Sequence, residues 1–233
     1  MTPADEIRIF LFYETARSGN RPDLYSGRRN DGYFMKIETL RRFKRITISP
    51  GEFYASGEPV MMTTLLGSCI AACLYDPVAR IVGMNHFLLS NHRYARNMAV
   101  TLSEAGRYGV QAMEILINEM MRIGASRKRL CAKVFGGATI LGSTQGAGNF
   151  ACVGEVNCRF IHEFLENENI RLTAEDLGGE KGRVIHFSNG DFAVYVRKIK
   201  QIQSERVARR DRECWLKAIE SQELTMPDVD LWQ

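Results

Sequence analysis

The chain has 233 residues, of which 45% are apolar and 25% are charged, the average proportions of soluble globular proteins. Its net charge of +4 is too small to predict nucleic-acid binding, and no run approaches the roughly 20 consecutive apolar residues of a membrane span. The segment from Ile7 to Tyr13 follows acidic residues and is too short for a signal peptide. We therefore expect a cytoplasmic protein without membrane insertion, whose six cysteines are free thiols.

The first part of the chain divides at about residue 45. Residues 1–45 form a polar, basic N-terminal extension, and its Arg41–Arg45 run is either a solvated surface or a contact for an acidic partner. Ile46–Ser56 predicts a short strand and a Pro-Gly turn. Between Thr63 and Leu89, two apolar runs flank an Asp-Pro step, which indicates a hairpin.

The middle of the chain predicts two amphipathic helices around one strand. Arg107–Ile123 has apolar residues at helical spacing, with Gly124 as a C-terminal cap, and its methionines, among them Met120 and Met121, are interpreted as core packing. Leu130–Ala138 is a predicted strand, and Glu155–Asn167 is the second helix. The glycine-rich loop at 142–149 lacks a following Gly-Lys-Ser/Thr, so nucleotide binding is not predicted. We expect no cofactor.

The last part of the chain predicts strands at Ile170–Leu177, Arg183–Ser188 and Phe192–Ile199, the last two joined by an Asn-Gly turn with positive φ angles. Interspersed helices and hairpins indicate an α/β or α+β class with a sheet that is not wholly parallel. A charged helix is predicted at Gln201–Gln222. Docking on the domain surface is favoured over a detachable partner-binding helix. Its apolar residues are Val207, Trp215, Leu216 and Ile219.

The hairpin holds a cysteine and a histidine that could react together. If its turn is centred between Pro77 and Val78, Cys69 faces His86 directly, and opposed residues have Cβ atoms about 5 Å apart. A turn longer or shorter by one residue would place the two on opposite faces. An imidazolium beside the thiol would lower its pKa and produce a thiolate nucleophile. No second ligand pair accompanies the cysteines, so no metal site is predicted.

Two further parts of such a site lie nearby in the sequence. Gly67, Ser68 and Cys69 could offer backbone amides to a developing oxyanion. Thr63 or Thr64 could orient the imidazole. The residues alone leave a second interpretation open, in which the cysteine and the histidine are ordinary core side chains.

Four motifs decide between these interpretations: "LGSCIAACLYDP", "GMNHFLL", "KVFGGA" and "AEDLGG". In this order they closely resemble the chemoreceptor glutamine deamidase family known as CheD, over about residues 46–199. The resemblance implies a layered α/β sandwich and a cysteine hydrolase that converts glutamines of methyl-accepting chemotaxis receptors to glutamate, releasing ammonia. Its nucleophile falls on Cys69, its base on His86, and its third residue on Thr63 rather than Thr64.

The resemblance also sets what stays open. Gly136 and Gly137 are interpreted either as allowing approach of the substrate or as close packing. Val156 stands where family members often carry an arginine, and the segments 1–45 and 200–233 lie outside the shared domain. Some members bind the phosphatase CheC. The alternatives are hydrolysis of receptor methyl esters at the same site, or a non-catalytic adaptor that binds a receptor or CheC.

Overall fold

The computed structural model describes residues 7–10, 36–40, 43–89, 104–139 and 153–200, together with 206, 207, 209–214 and 216. The strands are β1 (Ile7–Phe10), β2 (Lys36–Leu40), β3 (Phe43–Thr47), β4 (Phe53–Ser56), β5 (Val60–Leu66), β6 (Ile70–Asp76), β7 (Ile81–Asn85), β8 (Cys131–Gly136), β9 (Arg171–Leu177), β10 (Arg183–Ser188) and β11 (Val194–Lys198). The helices are α1 (Glu104–Arg122), α2 (Val153–Asn167), a short 3₁₀ turn (Arg127–Arg129) and a C-terminal helix that comprises the described residues from 206 to 216.

The strands form two mixed sheets. One has six strands in the order β1-β11-β10-β5-β3-β2, and the other has five in the order β4-β7-β6-β8-β9. The pairs β3/β5 and β8/β9 are parallel, and the remaining neighbours are antiparallel. The predicted α+β class, with a layered sandwich of mixed sheets and flanking helices, is confirmed.

Two cores separate three layers. The first core lies between the sheets and joins Met62 and Ile185 of the six-stranded sheet to Cys73 and Met84 of the other. The second lies between the five-stranded sheet and the helices. Strand β6 is buried along its whole length. Its run of apolar residues is what a strand covered on both faces requires.

Both amphipathic helices predicted for the middle of the chain are present. Helix α1 ends where predicted, because Gly124 has a φ of 112° and its amide donates to the Met121 carbonyl at 3.0 Å. Met120 is buried, but Met121 is 43% exposed, so its assignment to the core was wrong. Adjacent helical residues point about 100° apart, and the second core takes the face of Met113, Ile117 and Met120.

The predicted strands are also present, with two differences. The β10–β11 hairpin forms, but its positive φ lies at Phe192 (56°) and not in the Asn-Gly pair, because the loop spans five residues, 189–193. Two strands from the predicted N-terminal extension join the six-stranded sheet: β1 pairs with β11 and β2 pairs with β3. The glycine-rich loop at 142–149 lies outside the described residues. Within the described ranges, no helix is long and apolar enough to cross a membrane.

Candidate active site

Cys69 lies in the turn between β5 and β6, where the chain crosses from one sheet to the other. Its side chain is fully buried. The turn is held by β8 and the residues after it: the Gly137 amide donates to the Cys69 carbonyl at 2.8 Å, and the Ala138 amide donates to the Gly67 carbonyl at 2.8 Å. These backbone bonds fix the position of the sulfur independently of any substrate.

Gly136 and Gly137 explain why this segment can approach the turn so closely. Both have positive φ angles, 119° and 66°. A Cβ atom on Gly136 would collide with the Cys69 carbonyl oxygen, and one on Gly137 would collide with the Cys158 sulfur. The space beside both glycines is therefore filled by the chain itself. Close packing accounts for a glycine at both positions.

His86 follows β7, and the hairpin register decides on which face its ring lies. The structure pairs Ile70 with Phe87 through two backbone hydrogen bonds of 2.9 Å, so Cys69 does not face His86 directly. The observed register differs from the predicted one by two residues, which preserves the alternation of side chains. Cys69 and His86 thus share the face directed at the six-stranded sheet. They are diagonal neighbours, for which Cβ atoms typically lie about 7 Å apart.

The two-residue shift arises in the turn. Asp76 pairs with Ile81, so the loop has four residues, 77–80. It is longer than the loop predicted with its centre between Pro77 and Val78. The Asp76 carboxylate accepts hydrogen bonds from the amides of Val78 at 2.9 Å and Ala79 at 3.0 Å. This side-chain acceptor stabilises the longer loop, as aspartate commonly does at the first position of a turn.

The hydroxyl that contacts the His86 ring belongs to Thr64 and not to Thr63. Thr64 Oγ1 lies 2.8 Å from His86 Nδ1 and donates to the Ile48 carbonyl at 2.7 Å. Thr63 Oγ1 instead lies 2.9 Å from His186 Nδ1. Successive residues of a strand point to opposite faces, so only one of the two threonines can face the interior between the sheets.

These contacts determine the tautomer of His86. Thr64 gives its one hydroxyl proton to Ile48, so its oxygen accepts the proton that His86 carries on Nδ1. Nε2 then carries a lone pair. It is buried and has no hydrogen-bond partner among the described residues. A neutral imidazole with an available Nε2 is the form that a general base requires.

Burial keeps both reactive groups uncharged. Desolvation lowers the pKa of His86 to about 4. Desolvation, assisted by the negative charge of Asp211, raises the pKa of the Cys69 thiol well above its ordinary value. Asp211 and Arg210 influence the pKa of both groups, so both lie near the same two charges. Near neutral pH the site holds a thiol and a neutral imidazole, and the predicted thiolate beside an imidazolium is not its resting state.

Two buried side chains that the sequence did not identify hold the Ser68 peptide. The carboxylate of Asp211, in the C-terminal helix, accepts from the Ser68 amide at 2.9 Å and from its hydroxyl at 3.1 Å. Asn157 of α2 donates to the Ser68 carbonyl at 2.8 Å and accepts from the Leu89 amide at 3.0 Å. A polar residue on the apolar face of α2 was a signal for Asn157. Asp211 had no comparable signal.

The site thus contains a thiol, an oriented base and a backbone amide next to the sulfur, which are parts of a thiol hydrolase. The Ser68 amide, however, is already bonded to Asp211. In the described part of the chain, no three His, Cys, Asp or Glu side chains form a group that could hold a metal ion. Val156, at the position where the resemblance led us to expect an arginine, is buried in the second core.

Comparison with known proteins gives close relatives. A Geobacter sulfurreducens protein named "Probable chemoreceptor glutamine deamidase CheD 1" is 53% identical over 198 residues, which cover 85% of this chain and 98% of that protein. A Shewanella oneidensis protein named "Probable chemoreceptor glutamine deamidase CheD 2" is 45% identical over 170 residues, covering 72% and 83% of the two chains. A Thiobacillus denitrificans protein named "Probable chemoreceptor glutamine deamidase CheD" is 41% identical over 166 residues, covering 71% and 79%.

A family model described as CheD chemotactic sensory transduction matches residues 88–198. That range includes α1, α2 and β8–β11 but begins after Cys69 and His86. Among solved structures, a Neisseria meningitidis protein covers 64% of each chain at 10% identity with a TM-score of 0.34. The sequence relatives therefore carry the assignment, and they span most of this chain.

Proposed function

The chain belongs to the CheD family, and on that basis we propose that it is a cysteine-dependent deamidase of chemoreceptor glutamines. The names of its relatives support the substrate class. The observation that carries the chemistry is the shared face of Cys69 and His86, with the histidine tautomer set by Thr64. Core side chains alone would not require a buried imidazole whose Nε2 lacks a partner.

The reaction begins when the Cys69 sulfur attacks the glutamine Cδ while the thiol proton passes to Nε2 of His86. His86 then protonates the leaving nitrogen, which departs as ammonia and leaves a thioester on Cys69. Water gives a proton to the same imidazole and attacks the thioester carbon. The carbon–sulfur bond breaks, the proton returns to the sulfur, and the product is a glutamate side chain.

The oxyanion that forms on the amide oxygen requires hydrogen-bond donors near Cys69. Backbone amides of Gly67, Ser68 and Cys69 are our candidates, and one such donor typically contributes a factor of about 10² to 10³ in rate. The Ser68 amide is the best supported, because an acidic group already binds it. Asn157 holds the Ser68 carbonyl, which lies in the same planar peptide group as the Cys69 amide. A site that binds a carboxylate oxygen through an N–H is suited to bind an oxyanion.

Finer features of the function are part of the same proposal. We place the reaction in the cytoplasm, on the cytoplasmic helical region of methyl-accepting receptors, with CheC as a second partner. These features are supported by the family resemblance.

The test uses the full chain with a soluble receptor fragment that carries both glutamine sites and methyl-esterified glutamates. We expect ammonia and a gain of about 1 Da at defined glutamines, as amide-to-acid conversion through a thioester requires. Methanol without ammonia would instead support ester hydrolysis. Neither product, with the fragment still bound, would support the adaptor alternative.

A further inference from the structure

The C-terminal helix presents one face to the domain. Four residues at spacings of three and four positions lie on this face, where Val207 and Asp211 are buried and Arg210 and Cys214 are partly buried. Residues three and four apart share a face of a helix, so the set forms one continuous stripe. The other described residues with known exposure point to solvent: Arg206, Arg209, Arg212, Glu213 and Leu216. The sequence analysis counted Leu216 among the apolar residues of the docked helix, but Leu216 is 43% exposed and is not part of the docked face. Trp215 and Ile219 lie outside the described side chains.

This stripe packs against the chain on either side of the turn that carries Cys69. Val207 packs with Ala138 and Ile199, and with Leu65 at the end of β5. Arg210 donates to the Leu65 carbonyl at 3.0 Å, and Cys214 packs against the core that contains Cys69. The helix therefore bridges the outer side of the six-stranded sheet and the space between the sheets.

Asp211 lies at the centre of the stripe and is fully buried. Its carboxylate accepts hydrogen bonds from the amide and the hydroxyl of Ser68. It also lies 2.9 Å from the Arg210 guanidinium. The Ser68 amide is the donor that we assign to the oxyanion. While Asp211 holds it, no substrate oxygen can use it.

The consequence is a closed site. Cys69 is 0% exposed and His86 is 1% exposed, so a glutamine side chain on another protein cannot reach the sulfur in this arrangement. Catalysis on a macromolecular substrate requires an opening movement. Among the described residues of the C-terminal helix, Val207 is the one buried apolar side chain, at 5% exposed. An element with few buried apolar contacts is typical of one that can open locally without global unfolding.

Resting on the proposed deamidase function, we propose that the C-terminal helix is a built-in cover of the active site, held over Cys69 by Asp211 and Val207 and displaced when a receptor binds. The helix is thus an internal competitor for the surface around Ser68. Receptor modification would depend on release of the cover as well as on recognition of a glutamine.

The test measures the rate at which iodoacetamide alkylates Cys69 in the full chain, with the site of modification identified by peptide mass. Asp211→Ala and Val207→Asp should each accelerate alkylation at least about tenfold, because opening exposes and solvates a thiol whose reactivity follows its thiolate fraction. Glu213→Ala is the matched control, since it removes an acidic residue from the exposed face of the same helix. Its rate should equal that of the wild type.

Comparing the two variants distinguishes displacement of the helix from the loss of the Asp211 charge as the cause of faster alkylation. Asp211→Ala also removes a negative charge near the sulfur, whereas Val207→Asp keeps Asp211 and adds another. Acceleration by Asp211→Ala alone would overturn the cover, as would an equal effect of Glu213→Ala. Cys73, buried on the same face of β6, reports the integrity of the fold and should stay unreactive in every variant.

Receptor assays on the same proteins distinguish this inference from the proposed function. Faster alkylation without ammonia release in any variant would contradict the deamidase function and leave the cover in place. Ammonia release by the wild type, with unchanged alkylation and unchanged deamidation in both variants, would contradict the cover and leave the function in place.

Discussion

One hydroxyl group sets the protonation of the His86 ring. Thr64 can donate only one proton, and the Ile48 carbonyl takes it, so the imidazole proton must lie on Nδ1. Nε2 then carries a lone pair and is buried without a hydrogen-bond partner among the described residues. The family resemblance places the third residue on Thr63, whose hydroxyl contacts His186 on the opposite face. Neighbouring threonines on one strand thus have separable roles.

Paired valine substitutions test which threonine orients the base. Thr64→Val should lower kcat for deamidation by about 10- to 100-fold, a part of the 10²- to 10⁴-fold that a positioned general base contributes. Thr63→Val should keep most of the activity, because its hydroxyl does not touch His86. Steady-state kinetics on both variants provides the measurement. A larger loss in Thr63→Val would assign the role to the position that the resemblance indicates.

His86 also makes stability depend on pH. Its pKa is lowered to about 4 in the folded chain from an ordinary value of 6.5. Between these values the unfolded chain binds a proton that the folded chain does not, so the free energy of unfolding rises with pH and falls as pH drops from about 6.5 to 4. A shift of this size corresponds to about 3 kcal/mol.

Urea denaturation of the wild type and His86→Leu across this pH range measures the effect. The wild type should lose more stability on acidification than the variant does. His186, whose pKa desolvation also lowers, is present in both proteins and cancels in the difference. Identical pH profiles would show that His86 is not held neutral by the fold.

At the scale of elements, the β6–β7 hairpin positions the pair, and the nature of its turn explains how well a sequence can predict it. The Asp-Pro step and the apolar runs were sufficient to predict the hairpin, and they predicted the shared face only for the assumed turn centre between Pro77 and Val78. They were not sufficient for the register, because the bonds from Val78 and Ala79 to the Asp76 carboxylate decide the loop length. An error of two residues preserved the parity, whereas an error of one would have separated Cys69 from His86.

The glycines at the end of β8 allow close packing against the turn that carries Cys69, and a matched pair of substitutions measures how much this packing stabilises the fold. Gly137 and Gly178 have nearly equal φ angles, 66° and 69°, but a Cβ on Gly137 would collide with Cys158 and one on Gly178 would meet nothing within 4 Å. Both alanine variants should lose about 1–2 kcal/mol for a left-handed conformation. Gly137→Ala should lose more, measured by urea denaturation, because Cys158 and the nucleophile turn must move. Equal losses would contradict the close-packing role of Gly137.

Elements that depend on distant pairing were the least predictable. Strand β1 is short, and it joins the six-stranded sheet through β11, near the other end of the chain. Strand β2 pairs with its neighbour β3, although the sequence analysis placed it in the polar extension. The C-terminal helix was predicted from its charge and apolar positions, but its docked face was not. Arg210 and Asp211, which are charged, face the domain, and Leu216 faces solvent. A stripe of apolar residues predicts which face of a helix is docked only when that face makes apolar contacts.

At the scale of the whole molecule, the candidate active site lies where several elements end together. Ser68 lies between the end of β5 and the start of β6 and donates to Asp211 of the C-terminal helix. Thr64 of β5 contacts His86, the residue after β7. Motifs in the sequence could identify Cys69 and His86, because they lie within one hairpin. Asp211 and Asn157 could be connected to this site only by the fold, since they approach it from other layers.

This arrangement couples reactivity to access. Burial holds Cys69 as a thiol and His86 as a neutral base, and Asp211 occupies the neighbouring amide. Such a site is inert toward solvent and small electrophiles until the cover opens. In the wild-type chain, alkylation of Cys69 should therefore be slow. Deamidation should be measurable only with a receptor substrate.

We propose Cys69 as the nucleophile in receptor deamidation, and a comparison of Cys69→Ala with Cys73→Ala tests this assignment most directly. Both cysteines are fully buried and belong to the same core, so each substitution removes one buried sulfur at a similar cost to stability. Each full-length variant is incubated with the receptor fragment, and mass spectrometry follows the gain of about 1 Da per converted glutamine. We predict no conversion by Cys69→Ala and conversion by Cys73→Ala close to that of the wild type. Conversion by Cys69→Ala at the wild-type rate would contradict the account.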